Sequence, residues 1–95
     1  MSIKPDETLI VGSWVMVNGH MTADAELQRI ERLVANELEK TAISPDGWEI
    51  LYRDRDGRYW EKFLPHGGMH GGGPASLRVL DLASVQKKYG ISMNR

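Results

Sequence analysis

One stretch of the chain repeats its hydrophobic residues at steps of three and four, the spacing that places side chains on one face of an α-helix. The residues of this stripe are Leu27, Ile30, Val34 and Leu38. The stripe predicts a helix from about Ala23 to Glu39 or Lys40. Thr22 or Asp24 can cap its first turn, because a side-chain oxygen there accepts a backbone N–H that lacks a helical partner.

The other hydrophobic segments are short and rich in β-branched and aromatic residues, which is typical of strands. The predicted strands are Leu9–Val17, Trp48–Arg53, Arg58–Leu64 and Ser76–Leu82. Gly12 interrupts the first of them and indicates a bend or a bulge there. A short helix from Ala83 to Tyr89 should follow, with Asp81 as its cap and Gly90 as its stop.

Turn signals separate these segments, and their order defines the expected fold. The turns are Asn18-Gly19, Ser44-Pro45-Asp46-Gly47 and Asp54-Arg55-Asp56-Gly57. The resulting order is strand, helix, three strands and short helix. It predicts an α+β fold in which an antiparallel meander carries the main helix on one face.

The register of the hairpin around Asp56 decides which side chains share a face of the sheet. We favour a three-residue loop, residues 55–57 with Gly57 left-handed, which places Tyr52 opposite Trp60. Loops of two or four residues mix the faces, and the four-residue loop also opposes Arg53 to Arg58. The favoured register assigns Trp48, Ile50, Tyr52, Trp60 and Leu64 to a core face, interrupted by Lys62. It assigns Glu49, Leu51, Arg53, Tyr59, Glu61 and Phe63 to the other face.

This second face mixes aromatic residues with alternating charges, and two interpretations of it remain open. Loops or the C-terminal helix cover it in the first interpretation, since most aromatic side chains are at least partly buried. In the second it is a protein-binding surface, because tyrosine and arginine dominate the energetics of interfaces.

The composition is that of one soluble globular domain, residues 1–95, with residues 1–7 as a frayed polar leader. The chain has 95 residues, of which 41% are hydrophobic and 26% are charged. A net charge of −1 argues against nucleic-acid binding over the whole surface. The absence of cysteine excludes disulfides, thiolate zinc sites and cysteine nucleophiles. With neither a signal peptide nor an apolar run of membrane-spanning length, we expect a cytoplasmic protein.

The segment from His66 to Pro74 contains two histidines and five glycines, and it invites three interpretations. As a phosphate-binding loop it lacks both the lysine–serine/threonine pair and the following helix. As a metal site it would need a helix to use the spacing of His66 and His70, and glycine disfavours helix. We therefore expect a sharply turned structural loop and no metal or other cofactor.

Acidic residues near the hairpin turn provide no recognisable nucleophile–base arrangement, so we do not expect an enzyme. These residues are Glu49, Asp54, Asp56 and Glu61. A small enzyme or ligand-binding domain that uses the loop of residues 66–74 is the alternative.

Several motifs occur in a fixed order from about residue 5 to Tyr89. They are Pro5-Asp6-Glu7-Thr8, Gly12-x-Trp14-Val15, Arg29-Ile30-Glu31, Asp46-Gly47-Trp48-Glu49, Leu51-Tyr52-Arg53-Asp54, Asp56-Gly57-Arg58-Tyr59-Trp60-Glu61 and Met69-His70-Gly71-Gly72-Gly73-Pro74. Together they resemble the immunity protein 27 family of bacterial polymorphic toxin systems. The resemblance implies a cytoplasmic protein that protects its producer and kin by binding a toxin domain and blocking it, without catalysis of its own.

On this interpretation the partner is the cognate toxin domain, with no direct binding to nucleic acid or to a membrane. We expect the contacts to come from the hairpin and the glycine loop, where aromatic residues anchor the partner and charges select it. The expected contact residues are Glu49, Arg53, Arg58, Tyr59, Glu61, His66 and His70.

Overall fold

The computed structural model describes residues 3–65 and 73–90, which form seven strands and two helices. The strands are β1 (Leu9–Val11), β2 (Trp14–Val17), β3 (His20–Ala23), β4 (Glu39–Ile43), β5 (Ile50–Arg53), β6 (Tyr59–Phe63) and β7 (Ser76–Leu80). The helices are α1 (Ala25–Asn36) and α2 (Leu82–Tyr89). Five strands form an antiparallel sheet in the order β1-β7-β6-β5-β4, and β2 pairs with β3 in a separate hairpin. The predicted α+β class is confirmed.

Helix α1 packs on one face of the five-stranded sheet and builds the main core there. Its buried Ile30 and Leu33 lie in one cluster with Trp60 of β6. Ile10, Leu38, Tyr52 and Leu77 complete the buried part of this cluster. Burial of large apolar side chains on both elements is what holds the helix against the sheet.

The three-residue hairpin loop is confirmed, and with it the pairing of Tyr52 with Trp60. The expectation that Trp48 belongs to the core face is wrong, since its side chain is 60% exposed. Trp48 precedes β5 and follows Gly47, which has a left-handed φ of 80°. The turn therefore carries Trp48 outward before strand pairing begins.

The predicted helix is too long at its C-terminal end. It begins at Ala25, two residues after the predicted Ala23. Of the two candidate caps Asp24 is the one used, since its carboxylate accepts the backbone N–H of Leu27 at 2.8 Å. It ends at Asn36, where the N–H groups of Glu37 and Leu38 both donate to the carbonyl of Leu33. The residues that follow form β4 and pair with β5, so sheet pairing overrides the helical propensity of Glu39–Lys40.

The predicted strand Leu9–Val17 is divided at Gly12. Gly12 approaches the start of β7 so closely that a Cβ atom there would lie 2.3 Å from the carbonyl oxygen of Ala75. After this contact β2 leaves the main sheet. It turns back at Asn18 and Gly19, which have φ values of 51° and 80°, and continues as β3.

The short C-terminal helix is confirmed within one residue at its start. The Asp81 carboxylate accepts the backbone N–H of Ser84 at 2.7 Å, and Gly90 ends α2 with a left-handed φ of 67°. Neither α1 nor α2 reaches the length and apolar character that a helix needs to cross a membrane.

The close approach at Gly12 generates a stability prediction. The Gly12→Ala variant should lose about 1–3 kcal/mol of unfolding free energy, because the added methyl group overlaps the Ala75 carbonyl that accepts the Gly12 N–H. Gly19→Asn is the matched control: Gly19 has no atom within 4 Å of an added Cβ, and asparagine tolerates its left-handed backbone. Urea unfolding of both variants measures the difference, and equal losses would contradict the packing argument.

Candidate partner-binding surface

The hairpin turn between β5 and β6 is organised around Asp54. The Asp54 N–H donates to the Arg58 carbonyl at 2.9 Å, and Gly57, with φ 86°, donates its N–H to the Asp54 carbonyl at 3.1 Å. The Asp54 carboxylate accepts the indole N–H of Trp60 at 2.9 Å. Burial by itself would raise the pKa of Asp54, but the hydrogen bonds from Trp60 and Arg58 and the charge of Arg58 lower it below its usual value.

Arg58 joins this turn to the N-terminal segment. Its Nε donates to the Asp54 carboxylate at 3.1 Å, and its Nη atoms donate to the backbone carbonyls of Lys4, Pro5 and Glu7. The guanidinium also lies 5.2 Å from the centroid of the Trp60 ring. Intramolecular partners thus occupy most of the donors of Arg58, which fastens residues 4–7 to the sheet.

The same segment is held to α1 by Glu7. The Glu7 carboxylate accepts hydrogen bonds from Arg29 Nη1 at 2.8 Å and from Arg29 Nη2 at 2.6 Å. These hydrogen bonds lower the pKa of Glu7 from 4.5 to about 2, against the opposing effect of burial.

Helix α2 contacts the sheet face opposite α1. Its Val85 is wholly buried, as is Leu51 of β5, which lies on that face. Tyr89 and Lys88 of α2 both reach Glu61 of β6. Coverage by the C-terminal helix, the first of the two interpretations from the sequence, is therefore realised over the middle of this face.

Glu61 is the centre of a buried polar cluster on that face. Its side chain is 0% exposed. It accepts hydrogen bonds from Arg78 Nε at 2.8 Å and from the Tyr89 hydroxyl at 2.7 Å. Its oxygens also form ion pairs with Arg78 Nη2 and Lys88 Nζ, each at 2.6 Å. Lys88 also reaches the Glu49 carboxylate at 3.0 Å. A buried carboxylate needs such partners, and here they fasten α2 to β6.

Ionisation within this cluster follows from its geometry. Burial alone would raise the pKa of Glu61, but hydrogen bonds from Lys88, Tyr89 and Arg78 bring it below its usual value. Burial and the neighbouring Glu61 carboxylate raise the pKa of Tyr89 above that of a free tyrosine. Glu61 is thus held as an anion and Tyr89 as a neutral hydrogen-bond donor at neutral pH.

One row of this face lies beyond the cluster, at the turn end of the sheet. Arg53 of β5 is paired with Tyr59 of β6, and Tyr59 is paired with Leu80 of β7. Arg53 is exposed, while Tyr59 and Leu80 are half-buried. Among the described residues, none forms a hydrogen bond or ion pair with the Arg53 guanidinium or the Tyr59 hydroxyl. We call Arg53, Tyr59 and Leu80 the turn-end row.

The structure divides the expected contact residues between the two ends of the sheet. Arg53, Arg58 and Tyr59 lie at the turn end, and Glu49 lies four residues from Arg53, about 13 Å away along the strand direction. Glu61 lies between them and is buried. His66 and His70 lie outside the described residues.

Two exposed apolar features were not anticipated from the sequence. Trp48 is one of them, and the hairpin of β2 and β3 is the other, with large apolar side chains exposed on both strands. Trp14 and Met21 of this hairpin line a shallow groove with Pro65 and Pro74. Asn18-Gly19 between two strand-like segments was the available signal, since this dipeptide favours a two-residue hairpin turn.

The polar side chains described above divide into those with internal partners and those without. Within residues 3–65 and 73–90, no group of three or more histidine, cysteine, aspartate or glutamate residues is arranged to hold a metal ion. In the buried polar cluster, Glu61 is engaged by internal hydrogen bonds and ion pairs. Among the described residues, the Arg53 guanidinium and the Tyr59 hydroxyl have hydrogen-bonding groups without a partner.

The Glu61 cluster generates a stability prediction. Glu61→Ala should lose about 1–3 kcal/mol of unfolding free energy, because it removes the common acceptor of Arg78, Lys88 and Tyr89. Glu49→Ala is the matched control, since it also removes a Lys88 contact but lies near the surface, and it should lose about 0–1 kcal/mol. Chemical denaturation measures both losses of unfolding free energy. A loss in Glu61→Ala no larger than that in Glu49→Ala would refute the role of Glu61 in fastening α2 to the sheet.

The Glu7–Arg29 pair generates a pH prediction. Because folding lowers the pKa of Glu7, its contribution is fully present above about pH 4.5 and is lost as the pH falls towards 2. The free energy of unfolding of the wild type should exceed that of Glu7→Gln by about 1–3 kcal/mol at neutral pH. This difference should become smaller below pH 4.5, as Glu7 is protonated. Glu26→Gln is the control, since Glu26 is more exposed and lies 3.7 Å from the same arginine. If urea unfolding gave the same stability difference between wild type and Glu7→Gln at every pH, the stabilising role of ionised Glu7 would be contradicted.

The hairpin and the turn-end row lie within a segment of the chain that matches a known protein family. The family model described as Immunity protein 27 matches residues 16–81, well over half of the chain. The matched range includes both strands of the β5–β6 hairpin, Glu61 and the turn-end row. No curated protein matches the chain. No solved structure matches it.

Proposed function

Because this chain belongs to the immunity protein 27 family, we propose that it binds and neutralises the cognate toxin of a bacterial polymorphic toxin system. In this proposal it acts in the cytoplasm and protects the producer and its kin. It works as a stoichiometric inhibitor that covers the toxin domain and catalyses no reaction itself.

The observation that carries the proposed binding site is the turn-end row. Arg53 presents a guanidinium without a described partner next to the half-buried ring of Tyr59. The Arg53 side chain extends over the turn, where its Nη2 would lie 3.4 Å from a Cβ added at Gly57. Arginine and tyrosine on a rigid strand pair suit an interface, because little conformational entropy is lost when the partner docks.

The other expected contact residues have different roles in this proposal. Arg58 and Glu61 act from beneath the surface: Arg58 holds the turn and the N-terminal segment, and Glu61 holds α2. Glu49, His66 and His70 are proposed as contacts at the far end of the hairpin. Exposed Trp48, next to Glu49, would supply an apolar anchor there.

The expected size of the interface is compatible with contacts at both ends of the hairpin. A stable complex buries on the order of 800 Å² on each partner. The accessible surface of this protein is 6278 Å², so a toxin would cover about one eighth of it. The turn-end row alone is smaller than that, and contacts further along the hairpin are needed.

The test uses the toxin domain encoded beside this chain. Arg53→Ala combined with Tyr59→Ala should weaken toxin binding by about 2–4 kcal/mol in isothermal titration calorimetry, because both side chains lose contacts that water replaces poorly. The same variant should fail to protect cells that express the toxin at a limiting level of immunity protein.

Arg32→Ala is the matched control, since Arg32 is an exposed arginine on α1, which packs on the other face of the sheet. It should bind and protect like wild type. Circular dichroism should show that both variants are folded. Unchanged toxin affinity in the double variant would place the interface elsewhere, and a wild-type protein that binds no neighbouring toxin would refute the function itself.

A further inference from the structure

The β2–β3 hairpin carries an apolar surface that the turn-end row does not use. All four residues of β2 are exposed, and so are three of the four in β3. The large exposed side chains are Trp14, Val15, Met16, Val17 and Met21. No residue from 14 to 23 carries a formal charge, in a chain of which 26% is charged. A two-stranded hairpin is only marginally stable by itself. This one contacts the rest of the fold through α1, and a further paired strand would add to its stability.

The outer edge of β2 is short, but it has no charged side chain, proline or bulge. Charged side chains, proline and bulges normally discourage pairing at an edge. Strand β4, at one edge of the main sheet, has exposed Glu39 and Lys40 and a register shift after Lys40. Strand β2 consists only of tryptophan, valine and methionine, of which tryptophan and valine favour strands.

The pairing of β2 with β3 determines which backbone groups face outward. Val17 and His20 flank the two-residue turn and form a hydrogen-bonded pair, and such pairs recur at every second residue. The Asp24 N–H donates to the Ser13 carbonyl at 2.9 Å, as this alternation requires. The N–H and C=O groups of Trp14 and Met16 therefore point away from β3.

We propose that a second copy of this chain pairs with that edge, β2 against β2 in antiparallel orientation. Trp14 of each copy then lies opposite Met16 of the other, and the outward groups of the two residues exchange four hydrogen bonds. The two Val15 residues meet at the two-fold axis as the pair without hydrogen bonds. The two hairpins become one four-stranded sheet.

A second copy fits this edge because the edge is complementary to itself. The register sets tryptophan against methionine on one face, a favourable aromatic–sulfur contact, and valine against valine on the other. The absence of charge in residues 14–23 removes repulsion between identical copies. Each strand contributes the same groups to both sides, as a closed two-fold interface requires.

The expected affinity is modest. A hairpin of ten residues is about half or less of the residues that a standard interface uses on each side. We therefore expect a reversible dimer with a dissociation constant in the micromolar range, about 1–100 μM. This self-association is independent of the proposed toxin binding.

Sedimentation velocity over about 1 μM to 1 mM tests the proposal on the full chain without toxin. The weight-average mass should rise from 10.7 kDa towards twice that value, 21.4 kDa. A mass that stays at 10.7 kDa over the whole range would overturn the proposal.

Substitution at the two-fold axis tests the register. Val15→Lys and Val15→Glu should each weaken self-association by about tenfold or more, because like charges then face each other. An equimolar mixture of the two variants should restore association, since opposite charges meet at the same position. Thr41→Lys, on the exposed edge strand β4, is the control and should dimerise like wild type.

Removal of an outward N–H tests the strand pairing separately from charge. Met16→Pro deletes an outward donor and leaves the β2–β3 hydrogen bonds in place, so it should also weaken the dimer, with folding checked by circular dichroism.

Dimerisation that survives Val15→Lys, or a lysine–glutamate mixture that fails to associate, would overturn this register. If Val15→Lys abolished toxin binding while wild type stayed monomeric, the toxin would be the occupant and the proposal would be wrong.

Discussion

The hydrogen bond from Trp60 to Asp54 connects the main parts of this structure. The indole ring is wholly buried in the core under α1, and its N–H needs a partner there. Asp54 provides that partner and also closes the hairpin turn through its backbone. Because Asp54 additionally holds Arg58, the same contact links the core, the turn and the N-terminal segment.

The register that this contact sustains gives the sheet two chemically different faces. Tyr52 and Trp60 point into the apolar core, while Leu51 and Glu61, one residue away in each strand, point to α2. A shift by one residue would bury charges under α1 and expose the aromatic rings. The polar attachment of α2 is therefore a consequence of the same hairpin that builds the core.

This arrangement suits a protein that acts through its surface. The turn-end row is carried by paired strands, and the acidic and basic residues behind it are committed to internal contacts. A partner would meet side chains whose backbone is already ordered, so less entropy is lost on binding. The separate β2–β3 hairpin offers a second, uncharged surface whose chemistry suits strand pairing rather than charge recognition.

Local signals in the sequence were sufficient for several elements. The Asp24 and Asp81 caps, the Gly90 stop and the Asp54–Gly57 turn were predictable because each depends on residues within a few positions of one another. The two faces of the paired residues of β5 and β6 followed from the turn, since strand alternation then assigns their side chains. The burial of Glu61 was not predictable, because Lys88 and Tyr89 come from a helix far along the chain.

The sequence by itself determined the class of fold, the main helix stripe and the register of one hairpin, all of which arise from periodicity and short-range hydrogen bonding. Only the tertiary structure decided that residues 39–43 extend the sheet, that Gly12 separates β1 from β2, and that Trp48 is exposed. The reason for the first two is physical: they depend on contacts with β5 and with Ala75 and Leu27, whereas Trp48 is turned outward by the geometry at Gly47. Local propensity contains no information about contacts between residues distant in the chain.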